Sequence, residues 1–364
     1  MANMIVNNTV KFHWSQINPI PDPNHGVPCE RSSHGLSLIK NGTILFLHGG
    51  EQVARTPVEA SQTTWIAVQV ECNKDVWAWR CIGTDVCPPA RVAHAQAVYK
   101  DSQIYIFGGR AGISMGEAAM NDLWRLDSSS RTWTLVKPDL EHGDAPPEVR
   151  SFHKMVCIGS SLYVFGGCGV NGRLADLHRF DIRKKTWHTL SPSSLLKGRG
   201  GANFLPFASS KLLGVVGGFA GQESNDGHLF DIETQQWQEQ DINKKLTGLR
   251  PRSVCVSASF PSLGVSVIFG GEVDPSEKGH EGAGGFENDL VLLEEKTGTY
   301  ISTDPSDESF PETRGWSDGA SIDDEYDGSS GGGGGKLYIY GGLSGNDTKP
   351  RRLDDLWCLN ISKA

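Results

Sequence analysis

The stretch Ile104-Tyr105-Ile106-Phe107-Gly108-Gly109 is a short apolar run that ends in two glycines, and variants of it occur five more times in the chain. The other glycine pairs are Gly49-Gly50, Gly166-Gly167, Gly217-Gly218, Gly270-Gly271 and Gly341-Gly342. Intervals of about 50 to 70 residues between successive pairs indicate a repeated structural unit. Paired glycines suit strand ends where neighbouring units crowd together and a Cβ atom would not fit.

The remainder of each unit supports the same period. A motif of the type Asn121-Asp122-Leu123-Trp124 follows the glycine pair, and a tryptophan then opens a further strand, as at Trp133 and Trp187. Four short β-rich runs per unit, separated by turn residues, predict a four-stranded antiparallel blade. We therefore predict an all-β, six-bladed β-propeller that forms a single domain over residues 1–364. Its predicted blades are roughly 31–82, 91–136, 150–190, 199–240, 252–303 and 314–360 plus 10–18.

The last unit lacks a tryptophan strand of its own, because the chain ends at Ala364 soon after Trp357. Phe12-His13-Trp14-Ser15 has the features of the missing strand and precedes Arg31 much as Trp133 precedes Arg150. We expect this N-terminal strand to complete the last blade and to close the ring, which removes an open sheet edge.

These glycine pairs and downstream tryptophans resemble the kelch repeat over nearly the whole chain. Composition excludes several other classes of protein. A formal charge of -9 argues against binding to nucleic acid, because phosphates require a basic surface. An apolar stretch of membrane-spanning length and a secretory signal are both missing from the sequence, so we predict a cytoplasmic protein with no membrane partner.

An arginine recurs near the start of each blade, and equivalent positions in a propeller form a ring. Two interpretations are open. The arginines, Arg91 and Arg150 among them, could gather around the channel and attract an anion. Alternatively, each could bind carbonyl or carboxylate groups of its neighbours and serve the fold. The six are Arg31, Arg91, Arg150, Arg199, Arg252 and Arg314.

A long glycine-bearing loop from Glu272 to Gly284 follows the fifth glycine pair and carries several carboxylates and His280. Carboxylate and imidazole together can hold a divalent metal such as ferrous iron, although acidic loops are often simply solvated. The loop is therefore a candidate metal site.

The same loop, with Arg150-Ser151-Phe152-His153 and Arg314-Gly315-Trp316, resembles the plant specifier proteins. Those kelch propellers direct glucosinolate aglycones to nitriles, epithionitriles or thiocyanates with ferrous iron. Their iron-ligand pattern E-x-x-x-D-x-x-x-H places Ser276 where an aspartate is expected. A neutral hydroxyl is a poor ligand, which argues against Fe(II). Asp274 would have to substitute for it.

The specifier resemblance also implies a substrate pocket. It assigns Arg110 and Arg173 to the binding of a sulfate-like group, with Phe152 and Trp316 as apolar walls. Glu272 and His280 would then be the catalytic acid–base or metal-binding groups.

Three functions remain open on the sequence alone. The first is a specifier-like lyase or rearrangement catalyst that acts on a small anionic molecule at the channel mouth, with or without iron. The second is a non-catalytic kelch module that presents the same loop face to a protein partner. The third is a specifier relative that lacks both iron and activity.

Overall fold

The computed structural model describes residues 10–70, 73–83, 86–207, 210–238, 248–295, 300–303, 310–324 and 333–363. It confirms the predicted six-bladed β-propeller: six four-stranded antiparallel sheets are arranged around a central channel. In the described part of the chain, no helix is long and apolar enough to cross a membrane.

The chain begins with β1 (Val10–Ile17). The strands of blades 1 to 3 follow in order. Blade 1 contains β2 (Gly35–Ile39), β3 (Ile44–His48), the short hairpin β4 (Glu51–Val53) and β5 (Thr56–Pro57), β6 (Thr64–Val70) and β7 (Asn73–Cys81). Blade 2 contains β8 (Ala95–Tyr99), β9 (Gln103–Phe107), β10 (Leu123–Asp127) and β11 (Thr132–Leu135). Blade 3 contains β12 (Lys154–Ile158), β13 (Ser161–Cys168), β14 (Arg173–Asp181) and β15 (Thr186–Thr189).

Blades 4 to 6 repeat the pattern. Blade 4 contains β16 (Asn203–Phe207), β17 (Leu212–Phe219), β18 (Glu223–Asp231) and β19 (Gln236–Trp237). Blade 5 contains β20 (Val256–Phe260), β21 (Val265–Phe269), the hairpin β22 (Glu272–Asp274) and β23 (Gly285–Phe286), β24 (Leu290–Glu294) and β25 (Tyr300–Thr303). Blade 6 contains β26 (Asp318–Asp324), β27 (Gly334–Asn346) and β28 (Lys349–Lys363). Among the residues that the structure describes, 3-10 helices lie at Ala60–Gln62 and Gly279–Glu281.

The N-terminal strand closes the ring as expected. Strand β1 pairs antiparallel with β28 from Val10 opposite Lys363 to Ile17 opposite Leu356, so the last blade takes its outer strand from the other end of the chain. Trp14 is 2% exposed and packs in the core of blades 5 and 6, with its ring 4.8 Å from that of Phe269. This packing makes the N-terminal strand part of the core.

The glycine pairs mark the points where adjacent blades touch. The second glycine of each pair donates its N–H to the carbonyl of the arginine that starts the next blade, as from Gly109 to Arg150 at 2.8 Å. The sixth such bond, from Gly342 to Arg31, joins the last blade to the first. A Cβ atom on Gly108 would lie 2.8 Å from the Arg150 carbonyl oxygen, and the φ of Gly108 is +63°. Both the space and the backbone conformation therefore require glycine.

A second ring of backbone hydrogen bonds surrounds the channel itself. One residue per blade has a φ of +49° to +61° and donates its N–H to the equivalent residue of the preceding blade, at 2.7–2.9 Å. Because Phe152, Val254 and Trp316 are bulky residues in this uncommon conformation, the ring stores backbone strain. Its members are Ser33, Ala93, Phe152, Gly201, Val254 and Trp316.

Two cavities meet at this ring. The larger, of about 390 Å³, is the channel between the inner strands, and Lys154 of blade 3 reaches to within 3.9 Å of Asp318 of blade 6 across it. The smaller cavity, of about 210 Å³, lies at the channel mouth among the loops that follow the glycine pairs. We call this smaller cavity the mouth pocket.

Candidate functional site

The mouth pocket brings together five residues that the sequence proposes for a site. Arg110, Arg173, Phe152, Trp316 and Glu272 all line it. They come from blades 2, 3, 5 and 6 and from the loops between them, so only closure of the ring places them in one cavity. The structure therefore places Arg110, Arg173 and Glu272 around one cavity.

Phe152 and Trp316 form the apolar wall through their place in the strained backbone ring. Their rings contact each other edge to face, with centroids 5.2 Å apart. The Arg55 guanidinium lies 4.8 Å from the Phe152 ring and 4.7 Å from the Trp316 ring, and Arg110 lies 5.2 Å from Phe152. Cation–π contacts of this kind hold guanidinium groups in place without neutralising their charge.

Arg110 is the most unusual charged group in the pocket. Its side chain is 1% exposed, and its Nη1 donates to the Ser114 carbonyl at 3.1 Å. Its Nε and Nη2 are buried with no hydrogen-bond partner in the described part of the protein. A buried guanidinium edge without an acceptor is costly, and this edge is the one that binds carboxylate, sulfate or phosphate in a bidentate manner.

Arg110 belongs to a cluster of three arginines near the Glu51 carboxylate, and Glu117 also interacts with Arg110. Arg55 donates to Glu51 at 3.0 Å, and the Ser33 hydroxyl also donates to Glu51, at 2.9 Å. Burial, together with the charges of Arg110 and Arg352, lowers the pKa of Arg55 to about 10, although the Glu51 carboxylate acts in the opposite direction. Burial likewise lowers the pKa values of Arg110 and Arg352. The mouth therefore holds more buried positive charge than Glu51 can balance.

The opposite side of the mouth carries carboxyl groups. Glu272 is 8% exposed, and burial raises its pKa to about 7, although backbone N–H groups of Ser276 and Gly284 bind its carboxylate. Glu223 is 9% exposed, and burial raises its pKa to about 8. A raised pKa for a buried carboxyl in a cleft is typical of functional sites, because desolvation disfavours its charged form.

The loop from Glu272 to Gly284, which the sequence suggests as a metal site, is held mainly by hydrogen bonds. Asp274 is turned towards solvent and pairs with Arg250 at 2.8 Å. The Ser276 hydroxyl bonds to Asp347 of blade 6, which also accepts from the Glu277 N–H at 3.0 Å. No group of three potential metal ligands forms among the described residues.

The structure describes only the backbone of His280, and nothing is assigned to its side chain. The described donors do not themselves assemble an iron site. Iron at this loop therefore stays a prediction that rests on Glu272 and His280.

Arg91 and Arg150 do not line the mouth pocket. Both are 0% exposed, and each makes a two-pronged ion pair with an aspartate of its own blade, at 2.8 Å to Asp122 and to Asp176. Each also donates to the carbonyl of the first glycine in its blade, at 2.8 Å to Gly108 for Arg91. The structural interpretation of this arginine position thus accounts for both residues, and we do not include them in the site.

The sequence analysis missed several charged residues at the mouth. Glu51 directly follows a glycine pair, as Arg110 and Glu272 do, so this repeat position could have revealed it. Arg352 and Glu223 lie opposite such positions on the returning strands, where Leu343 pairs with Arg352. Loop length varies between blades, so the sequence offers no fixed spacing that would identify these partners.

Comparison with known proteins agrees with this architecture. The chain is 28% identical over 310 residues to the N-(sulfonatooxy)prop-2-enimidothioate sulfolyase of Thlaspi arvense, which covers 79% of this chain and 83% of that protein. It is 28% identical over 302 residues to the bovine Kelch domain-containing protein 3, covering 78% of this chain and 72% of that protein. Human host cell factor 2 is 30% identical over 165 residues, which are 43% of this chain and 20% of that protein.

A family model for the KLHDC2/KLHL20/DRC7 Kelch-repeats domain matches residues 59–271, more than half of the chain. The matched segment runs from blade 1 through the fifth glycine pair and includes Arg110, Phe152 and Arg173. Together with the blade topology and the recurring glycine pairs, this match shows that the chain belongs to the kelch-repeat family.

Proposed function

We propose that this chain binds a small anionic molecule in the mouth pocket and catalyses a lyase or rearrangement step on it. The observation that carries the proposal is the buried Nε–Nη2 edge of Arg110, which has no acceptor in the described part of the protein. An anion at this edge would balance the surplus charge of Arg55, Arg110 and Arg352.

The pocket also suits the apolar part of such a molecule. Phe152, Trp316 and Met115 provide apolar surface next to Arg110, and a mostly apolar cavity with a few fixed polar groups is the usual form of a small-molecule site. The Thlaspi arvense relative is named as a sulfolyase of a sulfonatooxy compound, which is an anion of this class. By analogy we assign the acid–base role to Glu272, whose raised pKa suits proton transfer near neutral pH.

Binding is tested with propane-1-sulfonate, which combines one anionic group with a short apolar chain. We expect Arg110→Gln to weaken binding at least tenfold in isothermal titration calorimetry, because the bidentate, charge-assisted contact is lost. Arg183→Gln is the matched control, since Arg183 is exposed on the turn between β14 and β15. Equal affinities of the wild type and the Arg110 variant would contradict the proposal.

Catalysis is tested by release of inorganic sulfate from a sulfonatooxy imidothioate, with and without added Fe(II). Loss of sulfate release in Glu272→Gln, with the fold intact, is the expected result. A rate that depends on Fe(II) in the wild type would support the iron prediction, and a rate that does not would remove it.

Exposed apolar side chains favour a protein partner as the second candidate function. Val53, Ile113 and Val170 are 54–65% exposed on the loops that surround the mouth pocket, and exposed apolar groups often mark interaction surfaces. A partner captured by the wild type but lost in an Ile113→Ser, Val170→Ser variant that still binds propane-1-sulfonate would establish this role.

A further inference from the structure

Arg110 and Glu272 occupy the same position of the repeat, directly after a glycine pair, in blades 2 and 5. Two blades separate them on either side of the six-bladed ring, so they lie on opposite walls of the mouth pocket, and both line it. Arg110 is 1% exposed and Glu272 is 8% exposed. The pocket therefore has a buried cationic wall and a buried carboxyl wall.

A second carboxyl group, Glu223, lies next to this wall without lining the pocket, and its Oε1 accepts a hydrogen bond from the hydroxyl of the lining residue Ser253 at 3.2 Å. Ser253 also pairs with Glu272 through backbone hydrogen bonds of 2.9 Å, which links the two glutamates. Glu223 Oε2 is buried and has no hydrogen-bond partner among the described residues. Two buried carboxyl groups thus stand side by side.

The cations near this wall do not neutralise it. Arg173 lines the pocket as well, but its guanidinium lies 4.5 Å from the Phe219 ring. The ion pairs found in the described chain do not join Arg173 to Glu223 or to Glu272. The ion pairs of the described chain do not join Arg110 to Glu272 either. Arg110 and Glu272 therefore line the cavity from opposite sides with no ion pair between them in the described chain, and Glu223 is connected to Glu272 through Ser253 without itself lining the cavity.

We infer that the mouth pocket binds a bipolar molecule, with an anionic group on Arg110 and an ammonium or similar N–H donor on the wall of Glu272 and Glu223. Such a ligand pairs each buried group with its complement, and desolvated groups gain most from this pairing. The inference rests on the proposed function for its anionic end. Its ammonium end is an additional claim about ligand class.

The test compares two probes that differ only by an ammonium group, 3-aminopropane-1-sulfonate and propane-1-sulfonate. We expect wild-type protein to bind the amino compound at least tenfold more tightly at pH 7.5 in calorimetry. The double variant E223Q/E272Q should reduce this ratio to near 1. E277Q is the matched control, because Glu277 is exposed on the same loop, and it should keep the wild-type ratio.

The outcomes separate the two proposals. If the wild type binds both sulfonates with equal affinity and Arg110→Gln weakens both, the bipolar inference is overturned while the anion-binding proposal stands. If neither sulfonate binds, the anion-binding proposal fails and this inference fails with it. Should the double variant not fold, the single variants E223Q and E272Q provide the same comparison, since glutamine has nearly the shape of glutamate.

Discussion

Buried His94 makes a measurable contribution to the acid sensitivity of the propeller. Its side chain is 6% exposed and lies edge-on to the ring of His48, with centroids 5.5 Å apart. Burial, followed by the charge of Arg91, lowers its pKa from 6.5 to about 3. The unfolded chain therefore takes up a proton at this site at higher pH than the folded chain does.

The sign and size of the effect follow from proton linkage. Because the folded-state pKa is depressed, the stabilisation is complete above about pH 6.5 and is lost as the pH falls towards 3. At pH 5.5 the unfolded state gains RT ln(1 + 10), about 1.4 kcal/mol, from protonation of this one group. At pH 7.5 the same gain is about 0.1 kcal/mol.

Whole-protein stability would not isolate this effect, because the lowered pKa values of His34, His48 and His153 act in the same direction and the raised pKa values of Glu223 and Glu272 act in the opposite direction. The informative quantity is the difference between wild type and His94→Asn, measured by urea unfolding at pH 7.5 and 5.5. We expect this difference in unfolding free energy to shrink by about 1.3 kcal/mol at the lower pH. Leu36→Ala, a buried non-titrating control, should show no such change. A constant difference for His94→Asn would refute the reasoning.

Two further predictions concern ring closure and the loop at the mouth. Trp14→Ala should lower the unfolding free energy by about 3–5 kcal/mol in urea titrations, because it empties a core site shared by blades 5 and 6, whereas exposed His13→Ala should have little effect. Asp347→Asn should speed tryptic cleavage after Lys278 several-fold, since Asp347 bonds Ser276 and the Glu277 N–H. Unchanged cleavage would show that other contacts hold the loop.

The glycine pairs made the fold predictable because only glycine fits sterically at these positions. Each pair lies where the next blade's arginine carbonyl approaches, so a side chain cannot replace the hydrogen, and the spacing of the pairs gives the blade count. Ring closure by the strand that contains Trp14 was also predictable, because one unit lacked a strand that the other terminus could supply. The positive φ of Phe152 and Trp316 left no such signal, since neither is a glycine.

The two kinds of arginine show why the site was harder to predict than the fold. Arg150 and Arg110 both lie near blade junctions, but only the position of Arg150 carries an arginine in every blade. Arg150 pairs with Asp176 of its own blade, and this contact lowers the pKa of Asp176 strongly despite its burial. Five blades contain both members of this pair, so the aspartate of the Asp-Leu motif could have assigned the blade-start arginines to the fold. Arg110 has no counterpart of this kind among the described residues, and this property is the reason that we propose it as a ligand-binding group.

The repeat therefore divides stability and recognition between different positions. The blade-start arginines and the glycine pairs hold neighbouring blades together, whereas the residue after each glycine pair differs from blade to blade: Glu51, Arg110, Cys168, Phe219, Glu272 and Leu343. Four of these residues, Arg110, Cys168, Phe219 and Glu272, line the mouth pocket. Substitutions at this position can change the ligand without breaking contacts between blades. Phe152 and Trp316 are the exception, because their backbones close the channel ring while their side chains form the pocket wall. A change at either residue would consequently affect both the stability of the fold and the proposed binding. Substitutions of the residue that follows a glycine pair allow the two effects to be measured separately.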